Sequence, residues 1–215
     1  MLGKGKLIVV SGFSGVGKGT VIGKVMEARP EYGFSVSATT RDPREGETHG
    51  VEYFFVTREE FEEGIGEGRF LEYAVYSENY YGTPRDYVEE LREAGTNVVL
   101  DIEYQGAFQV KQACPEAILI FLIPPDGPTL VQRLTGRGTE TREKIGKRLN
   151  QAVREADQAS GYDCIRVNDV LEETVENFLA VVDDPELGVA FYERNLPLVP
   201  GIKAQLEEIL AADAY

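Results

Sequence analysis

The chain has 215 residues, 42% hydrophobic and 27% charged, the make-up of one soluble globular domain, or a core with insertions, around a substantial interior. Its 37 acidic residues against 22 basic ones give a net charge of −15, which disfavours a nucleic-acid backbone or an anionic membrane surface as partner. Cys114 and Cys164 show neither metal-ligand spacing nor a disulfide framework, the N-terminus runs almost directly into a strand, and no apolar run is long enough to span a bilayer. The expectation is a cytoplasmic protein with buried, reduced thiols.

LIVVSG (7–12) is a short β-branched run ending in glycine, as expected of a buried parallel strand. It leads into SGFSGVGKGT (11–20) and a predicted helix over 18–28. Gly12, Gly15 and Gly17 let the chain turn so that backbone N–H groups converge on phosphate at a helix N-terminus, and Lys18 supplies a mobile charge. A plain strand–helix turn is the alternative; the position between strand and helix favours the phosphate loop. Gly19 stands where a serine or threonine commonly ligates Mg²⁺, so no direct protein ligand is expected and the metal is held through waters and nucleotide phosphates. Thr20 places a hydroxyl and an N–H one position on.

Residues 37–95 break the strand–helix rhythm with short strands (YFFV, FLEYAVY), a charged helix around 57–64 and many turn residues, and read as an inserted subdomain. In it, Arg41 and Arg44 flank Asp42-Pro43, and an extended backbone there lets both guanidinium groups fork onto one phosphate. Two solvated surface arginines are the bland alternative. Glu47 is placed to orient an arginine, Tyr53 and Tyr81 offer phenolic donors, and Ser37, Glu72 and Thr83 offer polar groups suited to a base edge. A carboxylate such as Glu72 in an apolar strand needs partners if buried, and the adjacent N1–H and N2–H₂ donors of guanine match it.

Further on, NVVLDIE (97–103), AILIFLIPP (117–125) and, more weakly, CIRVND (164–169) read as buried strands, with helices over 104–112, 126–135 and 141–159. Alternation of this kind implies an α/β fold with right-handed crossovers. After Pro185 the chain is rich in turn residues until IKAQLEEILAA (202–212), where Ile202, Leu206, Ile209 and Leu210 form one helical face. That face packs on the core or on a partner subunit, so a homo-oligomer is possible.

Gly-Lys-Gly-Thr resembles the loops of nucleoside-monophosphate kinases. With SVSATTRDPREGE, FLEYA, NYYGTP, LDIEYQG, RLTGRGTET and VND, in order over about residues 6–182, the chain resembles the guanylate kinases. The resemblance implies an α/β P-loop NTPase fold with a central parallel sheet. Its core is 1–36, 96–127 and 160–182, its inserted GMP-binding subdomain 37–95 and its helical lid region 128–159, with 183–215 a C-terminal extension. It implies transfer of phosphate from ATP, with Mg²⁺, to GMP or dGMP. The loop residues Gly12, Ser14, Gly15, Val16, Gly17, Lys18, Gly19 and Thr20 would bind ATP, with Arg133, Arg137 and Arg148 as lid arginines and Asn168 near adenine. GMP phosphate would meet Arg41, Arg44, Tyr53 and Tyr81, its base Ser37, Glu72 and Thr83, with Glu47 in support and Asp101 between the nucleotides. Lys18, Arg41, Arg137, Arg148 and Asp101 are the catalytic candidates. The rivals are a guanylate-kinase-like scaffold domain that binds phosphopeptides, and a kinase for another monophosphate. Lys18, the loop glycines and the lid arginines are all retained, which disfavours the scaffold. The single histidine, His49, reads as a loop-stabilising or surface residue.

Overall fold

A computed structural model of the chain describes residues 3–136 and 141–215. In chain order its elements are β1 (Leu7–Gly12), α1 (Lys18–Ala28), β2 (Gly33–Phe34), β3 (Ala38–Thr39), β4 (Phe54–Phe55), α2 (Arg58–Gly66), β5 (Phe70–Tyr76), β6 (Asn79–Pro84), α3 (Arg85–Glu93) and β7 (Val98–Asp101). They continue as α4 (Tyr104–Ala113), β8 (Ile118–Ile123), α5 (Gly127–Thr135), α6 (Arg142–Ala156), β9 (Cys164–Val167), α7 (Leu171–Asp183), α8 (Glu186–Asn195) and α9 (Val199–Ala211). The fold is mixed α/β, and its chain divides into two compact units, Met1–Ile8 with Pro30–Ala117 and Val9–Arg29 with Ile118–Tyr215.

In the first unit β2 pairs in parallel with β7, Gly33 opposite Val98, and the Val98 N–H donates to the Lys6 carbonyl, which brings the start of β1 alongside. A second sheet runs β4-β3-β6-β5, with β3 and β4 parallel and the other pairs antiparallel. Phe61, fully buried on α2, stacks on Phe70 at 4.2 Å and Tyr80 at 5.0 Å between ring centroids. A capping box starts α2: the Thr57 hydroxyl accepts from the Glu60 N–H at 3.2 Å and the Glu60 carboxylate accepts from the Thr57 N–H at 2.8 Å. β5 is an edge strand, and the Gln109 side chain of α4 makes both ladder bonds to Tyr73, its carbonyl accepting from the N–H and its NH₂ donating to the C=O, each at 3.1 Å. The motif NYYGTP is strand β6, and α3 follows it directly; both lie where the sequence shows mainly turn signals.

In the second unit the rest of β1, from Val9 on, and all of β8 are buried, and β8 pairs in parallel with β9. The Phe13 N–H donates to the Leu122 carbonyl at 3.1 Å, which sets the end of β1 beside β8. α1 packs on α7, α8 lies along β9, and α9 crosses α5 and α6. The predicted long helix over 141–159 ends earlier, at Ala156, with a 3-10 turn at Ala159–Gly161. The tail is helical from Glu186, earlier than its turn-rich composition suggests. On α9 the buried residues are Val199, Ile202 and Leu206, while Ile209 and Leu210 are half-buried, so the predicted face is present and extends one turn toward the N-terminus. Asp213 pairs with Arg142 at 2.8 Å, and the Tyr215 hydroxyl lies against Gly146, so the tail also meets the start of α6. No helix among the described residues is long and apolar enough to cross a membrane.

Candidate active site

The loop between β1 and α1 forms in the second unit because a buried strand must hand over to a helix across two positive-φ glycines, Gly15 at 94° and Gly17 at 97°. Gly17 is the N-cap of α1, so Lys18 is the first helical residue. Four side chains converge on the loop. Arg133 Nη1 and Asn168 Nδ2 both donate to the Val16 carbonyl, at 3.1 and 2.8 Å. Arg148 Nε donates to Ser14 Oγ at 3.1 Å, and Glu155 Oε2 accepts from the Ser14 N–H at 2.6 Å. The Thr20 N–H donates to the Gly17 carbonyl at 3.0 Å, and the Phe13 N–H to that of Leu122 at 3.1 Å. The Phe13 ring is a core group, edge-on to Phe121 at 5.7 Å.

The second constellation lies in the first unit. Arg41 Nη2 donates to both oxygens of Glu47, at 2.9 Å each, and its guanidinium sits 5.4 Å from the centre of the Tyr53 ring. Glu47 also accepts from the Arg44 N–H at 2.7 Å; that bond, and Arg41 after it, hold its carboxyl below the usual carboxylate range. The Tyr53 and Tyr81 rings meet edge to face at 6.0 Å. Beside them is a cavity of about 390 Å³ lined by Ser37, Tyr53, Glu72, Tyr81, Asp101 and Gly106, among others. Thr83 lines a smaller adjoining one.

Glu72 is buried on β5, and Thr83 on β6 donates its hydroxyl to Glu72 Oε1 at 2.7 Å. Antiparallel pairing puts the two directly opposite each other, which is why residues eleven apart in sequence share one face. Burial pushes the Glu72 carboxyl up from its ordinary value. Helix α4 makes room for it: a Cβ at Gly106 would stand 2.5 Å from Glu72 Oε2. A side chain at position 106 would force this carboxylate to shift.

Arg41, Glu47, Tyr53 and Tyr81 are thus brought together, as are Ser37, Glu72, Tyr81 and Asp101 around the cavity. The Arg44 guanidinium is exposed and lines neither cavity. Arg137 lies outside the described residues. His49 accepts from the Phe55 N–H through Nδ1 at 3.2 Å and packs on Phe54, a loop-holding role. Glu155 and Gly106 touch the loop and the Glu72 carboxylate, and the sequence did not single them out. Glu155 shares the α6 face of Arg148, two turns away, which is the one signal that could have marked it.

The family model described as "Guanylate kinase" matches residues 4–184. A guanylate kinase of Shouchella clausii is 51% identical over 179 residues, covering 83% of this chain and 87% of that one. One from Thermus thermophilus is 49% identical over 212 residues, covering 96% of both chains, so that similarity takes in most of the tail beyond 183 as well. The crystal structure of guanylate kinase from Anaplasma phagocytophilum superposes with a TM-score of 0.65 at 31% identity, over 89% of this chain and 92% of that one. With the phosphate loop, the arginine–tyrosine cluster and the buried Glu72–Thr83 pair all present, the chain belongs to the guanylate kinase family.

Proposed function

We propose that this protein transfers the γ-phosphoryl group of ATP to GMP, or to dGMP, giving the diphosphate. The observation that carries the acceptor is the buried Glu72 carboxylate, held by Thr83 and facing a cavity of nucleotide size. Guanine offers two adjacent donors to such a group, and adenine does not. Ser37 completes the base edge, while Arg41, Arg44, Tyr53 and Tyr81 hold the GMP phosphate with Arg41 pre-aimed by Glu47. On the ATP side the amides of Gly15, Gly17 and Gly19 donate to nothing among the described residues and are the donors for phosphate, with Lys18 as the charge. Arg133 and Asn168 hold the loop at the Val16 carbonyl.

The chemistry asks for positioning and charge neutralisation. A phosphate oxygen of GMP is already a nucleophile at neutral pH, so no general base is needed. In an in-line displacement it bonds the γ-phosphorus as the bond to the β,γ-bridging oxygen breaks. Lys18, Arg148 and Arg137 neutralise the charge spread over the transferring group, and Asp101, at the end of β7, borders the acceptor cavity. We read 37–95 as the acceptor subdomain and 128–159 as the lid, whose closure excludes water and suppresses hydrolysis of ATP. Mg²⁺ held through nucleotide phosphates and waters fits these residues: a Cβ at Gly19 would meet nothing within 4 Å, which leaves room for a hydrated ion. When bound, the metal supplies charge compensation on the phosphates.

Steady-state assays with GMP, dGMP, AMP and UMP as acceptors under saturating ATP and Mg²⁺ test the reading. Turnover confined to GMP and dGMP is expected. Comparable turnover of AMP or UMP overturns the guanine assignment, and no turnover of any acceptor by folded protein overturns the enzyme.

A further inference from the structure

We infer that Glu155 is a positioning residue for the ATP half of the reaction, fixing the phosphate loop to the helix that carries Arg148. The inference rests on reading the loop as the ATP site. Three side chains on one face of α6 are involved, because residues 148, 151 and 155 are spaced by close to whole turns. Glu155 Oε2 accepts from the Ser14 N–H at 2.6 Å, and its other oxygen, Oε1, accepts from Gln151 Nε2 at 2.9 Å. Arg148 Nε donates to Ser14 Oγ at 3.1 Å. One loop residue is therefore held at its backbone and its side chain by a single helix.

The carboxylate is 5% exposed, so its desolvation must be offset by these bonds, and both oxygens have them. The Phe13 amide next door is satisfied by a backbone carbonyl, that of Leu122, whereas the Ser14 amide is held by a side chain anchored on α6. Ser14 immediately precedes Gly15, with Gly17 two residues further on, and glycines lacking a Cβ leave the backbone little stiffness of its own. Clamping Ser14 sets the direction in which the following amides point. The ordering cost of the loop is then met at folding rather than at nucleotide binding. Because the clamp and Arg148 share α6, any shift of that helix carries loop and guanidinium together.

The test measures ATP and GMP binding separately by calorimetry, with kinetics and melting temperature, in Glu155→Ala, Glu155→Gln and Glu155→Asp. Glu155→Ala should weaken ATP binding by ~10- to 100-fold, the scale of losing a charged buried hydrogen bond, and leave GMP affinity within ~3-fold. Glu155→Gln keeps an oxygen for the Ser14 N–H and should recover most of the loss. Glu155→Asp keeps the charge but falls short of the amide and should sit between. If the alanine variant does not fold, the glutamine and aspartate variants carry the same ranking. Unchanged ATP binding in the folded variants, or equal loss of both nucleotides, overturns the assignment. Lys18→Ala is the control: if it leaves ATP binding and kcat intact, the reading of the loop fails, whereas loss with Lys18→Ala alone refutes only the role of Glu155.

Discussion

Thr83 donates its hydroxyl hydrogen to Oε1 of Glu72 at 2.7 Å inside the protein, and Oε2 lies toward Gly106. Glu72→Gln keeps the shape and swaps one acceptor for a donor. If the NH₂ turns toward the ligand it faces a guanine donor; if it turns toward Thr83 the hydroxyl must reverse. Loss of the charged bond should lower kcat/KM for GMP by ~10²-fold or more. AMP should gain relative to GMP, since hydrogen-bond sites discriminate by leaving the wrong ligand unpaired. Measuring kcat/KM for both acceptors checks this, and an unchanged GMP/AMP ratio would show that Glu72 does not read the base.

The same carboxylate makes a prediction about pH. Burial raises its pKa above the ordinary 4.5, so the folded protein holds the proton more tightly than the unfolded chain. The contribution of Glu72 to stability is therefore greatest at low pH and falls as pH rises from 4.5 through the raised value. In the proposed reading guanine pairs with the ionised form, so GMP binding should strengthen across that same interval. The GMP phosphate itself ionises near ~6, which affects wild type and Glu72→Gln alike. The ratio of kcat/KM between wild type and Glu72→Gln should then climb with pH and level off; a flat ratio would reject the mechanism.

Gly106→Ala tests the room beside that carboxylate. Glycine in a helix costs about 1 kcal/mol relative to alanine, so the substitution would ordinarily stabilise α4. Here the added Cβ would stand 2.5 Å from Oε2 and 3.1 Å from Cδ of Glu72, and the carboxylate must move. KM for GMP should rise at least ~10-fold, by loss of one aligned charged hydrogen bond, with KM for ATP unchanged. Combined with Glu72→Gln, the two changes should be far less than additive. Additive effects would mean that Gly106 acts elsewhere.

Leu206→Ala addresses the tail. Leu206 is fully buried on α9, which packs across α5 and α6, and Gln205 beside it accepts from the Gly127 N–H at 2.8 Å. Truncation should cost about 2–5 kcal/mol, or at least ~4 °C in melting temperature, with KM for GMP unaffected. Calorimetric melts read the outcome. A melting temperature within ~1 °C of wild type, an interval of order the method's error and below the ~4 °C expected, would mean the tail helix is not part of the core.

Much of this architecture is readable from short-range signals. The buried run 7–12, the glycine loop and the helix over 18–28 appear where expected, because strand burial and loop chemistry are local properties. FLEYAVY is β5 residue for residue. Helix α8 was hidden because it buries no apolar stripe: Leu187 and Val189 are exposed and only Gly188 and Asn195 are buried. Glu155 was hidden for a different reason. Its partner Ser14 lies 141 residues away, and nothing within one turn of a charged, helix-forming stretch distinguishes an anchored carboxylate from a solvated one. The partners of the Phe13 and Thr20 amides were not legible either, since they lie at Leu122 and in the first turn of α1.

The amide of Gln109 occupies both backbone groups of Tyr73 in the middle of an edge strand, as a neighbouring chain would. A sheet margin with open N–H and C=O groups recruits strands from other molecules, and a long run with Val75 and Tyr76 facing water is the kind that does so. By supplying a substitute partner from α4, the side chain interrupts that ladder at its centre. The protein gains protection against aggregation from one glutamine.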